Sequence, residues 1–252
     1  ACSQYGVLEK NIKGNKEMSI SLITNCKEVM RTRRFLYSFI SRAFAMEVDE
    51  DFLRTICETK ALFDQLAESA EEELLKDGCI TLSNTIKDFE ENVDKSNLLI
   101  DLAAEYASLF LNAGPSPVYL VESVYLGKHH LLYEEPYFEV LDAYKSLGFE
   151  KSPTFKEPED HLAVELEFMA KLIDLTIQSL EENNLEYAKG YLKLQKEFLD
   201  EHLIKWVPQL CQKLEEVSSN RFYKGLAKLL QGFIKTEQQF VPFMLKELDS
   251  VN

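Results

Sequence analysis

An all-α protein is predicted by three features of this 252-residue sequence. Gly and Pro, the residues that most often break regular structure, number only 9 and 7. Long runs of Leu, Glu, Lys and Ala carry apolar residues at the i, i+3, i+4, i+7 spacing of amphipathic helices. No stretch shows sustained apolar–polar alternation closed by Asn-Gly or Asp-Gly, so strands have no support. No internal repeat stands out. The expected architecture is a single compact helical domain of about nine helices.

Residues 1–17, ACSQYGVLEKNIKGNKE, are polar and aperiodic and are expected to be a flexible tail, or a remnant foreign to the native chain, since Met18 makes a natural start. Residues 18–252 form the helical domain. Within it, helices are expected at roughly 18–46, 50–59, 61–76, 81–92, 97–111, 134–147, 158–181, 184–217 and 220–248. The first contains RTRRFLYSFI (31–40), which resembles a twin-arginine export leader. A leader needs an unbroken apolar run and a small-residue cleavage site, whereas here Arg42 and then Glu47, Asp49, Glu50 and Asp51 follow. Leu36, Phe39, Ile40, Ala43 and Phe44 instead make one apolar helix face, with Arg34, Ser38, Ser41 and Arg42 opposite. The last helix carries a seam of Phe222, Leu226, Leu229, Phe233, Phe240 and Met244, which Pro242 should bend or end; Pro208 should break the helix holding Trp206.

With Lys+Arg 28 against Asp+Glu 43, the net charge is −15. Such a surface disfavours nucleic acid and anionic membrane and favours basic partners. Five cysteines lie scattered with no CxxC, as suits reduced thiols, and no apolar stretch is long enough to span a membrane. Cytoplasmic residence is therefore expected.

Two loops interrupt the helices. NAGPSPVYLVESVYLGKHHLLYEEP (112–136) is long and rich in Pro, Gly and aromatics, which in a compact domain points to function. Loop 148–157 separates portions 18–147 and 158–252 and is a candidate hinge; Pro158 should sit in the first turn of the helix that follows. On that helix Leu162, Leu166, Met169 and Ile173 share the core arc, with His161, Glu165, Phe168 and Leu172 on its flank. Asp160 and His161 are readable as a cap with an i,i+4 contact from His161 to Glu165. The same residues are also readable as a pocket, with acidic groups for a cation and aromatic walls for an apolar ligand.

Catalytic and metal patterns fare poorly. No His follows Glu by three residues, and HExxH, paired CxxC, P-loop, GxGxxG and GxSxG motifs are missing. His129-His130 has no legible third ligand. No nucleophile–base arrangement is legible, so the chain is not expected to be an enzyme or to carry a cofactor.

EPEDHLAVELEFM (157–169), AAEYASLFL with GPSPVYLVESVY (103–125), FLDEHLIKWVPQL with FYKGLAKLLQGFI (198–234) and RRFLYSFISRAFAMEVDEDFL together resemble the TorD/DmsD, NarJ-related family of redox-enzyme maturation chaperones. Residues 61–95 and 235–252 carry no placed motif. The resemblance implies an all-helical TorD-like fold that binds the twin-arginine leader and catalytic subunit of a molybdenum oxidoreductase. It would withhold the apoenzyme from export until its cofactor is inserted. Asp160 and His161 fall on the family's signal-binding motif; Glu165, Phe168, Tyr119, Ser123 and Tyr125 join them from the helical wheel and the loop. The resemblance leaves homodimerisation open. Two other readings are a nucleotide-binding helical protein using Asp160, His161 and Glu165, and a non-catalytic helical scaffold.

Overall fold

The computed structural model describes residues 16–250, with side chains from Cys26 onward. The expected tail 1–17 lies outside them apart from Lys16 and Glu17, which open the first helix. Among the described residues the structure is helical, without a strand: α1 Lys16–Ala45, α2 Glu50–Glu58, α3 Lys60–Ser69, α4 Glu73–Glu91, α5 Lys95–Phe110, α6 Glu122–Leu126, α7 Glu135–Ser146, α8 Leu162–Glu181, α9 Leu185–Phe198, α10 Ile204–Val217 and α11 Arg221–Asp249. A π-helical turn, Leu199–Leu203, joins α9 to α10.

The apolar spacings read from the sequence become the core. Phe222, Leu226, Leu229, Phe233, Phe240 and Met244 are all buried along α11, as are Leu36, Phe39, Ile40, Ala43 and Phe44 along α1. Two long pairings dominate, α4 against α11 and α1 against α8, and each joins the portion before loop 148–157 to the portion after it. The α4–α11 pair is close because it is lined by glycines. A Cβ on Gly78 would meet the Leu229 backbone N at 2.4 Å, and one on Gly232 would meet the Leu75 N at 2.1 Å.

Arg33 and Arg34 have separate fates. Arg34 reaches Asp174 at 3.2 Å on the surface. Arg33 is buried and forks onto Glu237, with Nε–Oε1 at 2.7 Å and Nη2–Oε2 at 2.6 Å, while Nη2 also donates to Gln195 at 2.8 Å. A buried guanidinium needs this many partners to offset its lost hydration.

Four expectations are corrected. The break expected at 77–80 falls at 70–72, because Gly78 serves helix packing and not a turn. Pro208 lies inside α10, which opens at Ile204 directly after the π turn, and does not break it. Pro242 likewise lies inside α11 and does not end it, since the helix continues to Asp249. The helix expected from 158 begins at Leu162, since Asp160 and His161 are bridged to loop 112–136, which itself contains the short α6.

Candidate functional site

The long loop is strapped to the start of α8. Val121 and His161 form an isolated antiparallel bridge, in which the Glu122 N–H donates to the Asp160 carbonyl at 2.9 Å and the Leu162 N–H to the Leu120 carbonyl at 2.8 Å. Beyond the strap, α6 starts at Glu122, and its N-cap, Val121, has no side chain able to accept a hydrogen bond. Asp160 supplies the missing acceptor from across the strap. Its Oδ2 takes the Ser123 N–H at 2.9 Å and the Ser123 hydroxyl, and both residues are fully buried. Asp160 thus caps α6 and not α8, contrary to the cap reading of the sequence. Burial, more than any other influence, pushes its carboxyl above the usual range, while the Ser123 hydrogen bonds pull it back.

His161 is the N-cap of α8. Its Nδ1 accepts the Ala163 N–H at 3.1 Å, and its ring stands edge-on to Phe155 at 5.2 Å. Burial, and secondarily the nearby Lys151 ammonium, lowers its pKa to about 3. The imidazole is therefore neutral, with Nδ1 as the acceptor. A proton on Nδ1 would remove the cap and bury an unpaired charge.

One turn on, Glu165 is fully buried and turns towards Trp206, not back to His161. Its Oε2 accepts the indole N–H at 3.1 Å, and its Oε1 accepts no hydrogen bond. Burial, then the Glu122 and Asp160 charges, push its carboxyl well above the usual range. A neutral acid fits this position, because a buried carboxyl beside a second one is spared their mutual repulsion by holding its proton. Glu122, also fully buried, is raised by burial and held down by His202, whose Nδ1 lies 3.0 Å from Oε2. Three buried acids and one imidazole thus form a connected polar cluster at the junction of α6, α8 and the π turn. Such clusters rigidify a fold only when each member is satisfied.

The aromatic residues surround this cluster. Tyr125 packs on Trp206 at 5.4 Å and donates its hydroxyl to the Tyr119 carbonyl at 2.9 Å, while the Tyr119 ring is 48% exposed. Phe168 is buried among Tyr144, Phe149 and Phe198, with centroids at 4.7, 5.3 and 4.9 Å. The structure therefore brings all seven sequence-derived residues to one region, six of them largely or wholly out of solvent. Sequence reasoning missed Glu122, His202 and Trp206. Their signal was present in the quoted ESVY and FLDEHLIKWVPQL motifs, but nothing local links Glu122 to a histidine eighty positions on. His129 and His130 lie exposed in the loop, and no group of metal-ligating residues occurs among the described residues.

A cleft of about 370 Å³ opens beside the cluster, between α7 on one side and α9 with the π turn on the other. Phe168, Phe198 and His202 reach it from the core.

The family model described as nitrate reductase delta subunit matches residues 72–212, a segment that contains the whole polar cluster. Among curated proteins, the chaperone protein TorD of Vibrio parahaemolyticus is 29% identical over 209 residues, covering 83% of this chain and 94% of its own length. The chaperone protein TorD of Vibrio vulnificus is 28% identical over 224 residues, covering 87% and 99%. That of Aliivibrio salmonicida is 26% identical over 211 residues, covering 83% and 94%.

Proposed function

The chain belongs to the nitrate reductase delta subunit family, and on that premise we propose that it is a maturation chaperone for a molybdenum-dependent oxidoreductase. It binds the twin-arginine leader of the apoenzyme, assists cofactor insertion and withholds the precursor from export until loading is complete. The correspondence with nearly the full length of proteins named TorD chaperones carries this reading. The net charge of −15 supports it, since an acidic surface attracts an arginine-bearing leader. The work is binding without catalysis and belongs in the cytoplasm, where leaders are still uncut. No helix among the described residues is long and apolar enough to cross a membrane.

In this reading the seven site residues divide by burial. Asp160, Ser123, His161 and Glu165 hold the strap, α6 and the start of α8 in place, and act on the leader by positioning. Tyr119 and Tyr125 supply aromatic surface for its apolar run, a role suited to rings that also pack on the protein, and the buried Phe168 backs the neighbouring cleft from the core. Loop 148–157 serves as a hinge whose swing is limited by the α1–α8 packing.

The test is a pull-down from the host cytosol with the full chain as bait, followed by mass spectrometry. The expected catch is a molybdoenzyme precursor with its leader intact. Its absence from a lysate known to contain such a precursor would refute the proposal.

A further inference from the structure

We propose that the cleft between α7 and the α9–π ridge is where the arginine pair of the leader docks, an inference that rests on the leader-binding reading above. Leu194, Glu197, Phe198 and Glu201, continued by Lys205 at the start of α10, recur along the ridge at helical spacing, and Glu139 of α7 and Leu147 at its C-cap line the other side. From 194 to 205 the ridge is roughly 16 Å long at about 1.5 Å per residue, enough to seat three turns of helix or a short extended segment.

The chemistry of the walls selects the occupant. The floor is apolar, made by Leu147, Leu194, Phe198 and Phe168, and the rim carries three carboxylates against one ammonium. That ammonium, Lys205, is already paired with Glu201 at 2.5 Å. Glu139 and Glu197 are exposed and form no ion pair within 4.0 Å among the described residues. Two unpaired carboxylates beside an apolar floor match a peptide that carries two guanidinium groups next to an apolar run. The deeply buried Asp160 and Glu165 offer no such access, because Ser123, Trp206 and Glu122 already engage them. The cleft also reaches the cluster directly, since its lining residue His202 holds Glu122.

The experiment is fluorescence anisotropy of two labelled synthetic leader peptides, one with its arginine pair and one with glutamines in its place. Each is titrated with the wild-type chain, with Glu139→Gln/Glu197→Gln, and with a charge-matched control, Glu58→Gln/Glu71→Gln, at exposed positions that do not line the cleft. The cleft variant should weaken binding of the arginine peptide about tenfold, with no change for the glutamine peptide and none for the control. Equal affinity in wild type and cleft variant, or an equal loss in the control, overturns the cleft while leaving leader binding in place. Failure of the wild-type chain to bind the arginine peptide overturns both.

Discussion

Replacing His161 with Asn should make the protein less sensitive to mild acid, by an amount the structure sets. In the wild type, Nδ1 of His161 accepts the Ala163 N–H in a buried position, and the imidazole pKa falls to about 3 from 6.5. The unfolded chain takes up a proton near pH 6.5 and the folded one does not. Stability is therefore complete above the unfolded pKa and is lost as pH falls towards the folded one. Between about pH 7.5 and about pH 5 the loss covers roughly 1.5 pH units at about 1.36 kcal/mol each, or about 2 kcal/mol. Asn accepts the same N–H as an N-cap and cannot be protonated, so His161→Asn removes this loss. Near pH 7.5 the variant gives up the edge contact with Phe155 and should be equal to wild type or slightly weaker. The assay is urea unfolding followed by fluorescence of the sole tryptophan, Trp206, which is buried against Glu165. The difference in unfolding free energy should move about 2 kcal/mol in favour of the variant between the two pH values. A difference that stays constant with pH would show that His161 is not held neutral and would refute the reasoning.

Glu165→Gln tests the opposite sign. Its folded pKa is raised, so the wild type has this contribution in full below the unfolded value near 4.5 and loses it as pH rises through the folded one. The Gln variant should gain on wild type as pH increases in thermal unfolding scans, and a pH-independent gap would contradict a neutral Glu165. Asp160→Ala leaves the Ser123 N–H buried without an acceptor, which should cost about 1–3 kcal/mol, with helical circular dichroism unchanged; a neutral effect in urea titration would remove Asp160 as the anchor of α6. Gly232→Ala forces a Cβ to 2.1 Å from the Leu75 backbone N, which must move. A loss of about 1–3 kcal/mol or more is expected, and an unchanged melting temperature would contradict the close α4–α11 contact.

The helices were legible where burial alone decides them. The α11 seam and the α1 face could be read directly, because a 3.6-residue period is a property of local spacing. Gly78 could not, because a glycine that ends a helix and one that lets a partner helix approach look alike until Leu229 is placed beside it. Pro158 misled for a similar reason. Its position fits a first turn, yet the bridge between Val121 and His161 delays α8 to Leu162. The site was half legible. Asp160, His161 and Glu165 stood out as polar residues on an apolar helix, but their partners Ser123, Glu122, His202 and Trp206 come from distant segments. No pattern within one segment separates a carboxylate that faces a ligand from one that caps a neighbouring helix.

The most direct test of the account is the affinity of the purified full chain for its client precursor, measured by titration calorimetry beside the same enzyme lacking its leader. The chaperone account predicts tight binding of the leader-bearing precursor, and a marked loss when the leader is removed or its two arginines are replaced. Equal binding with and without the leader, or no binding to either, would contradict it.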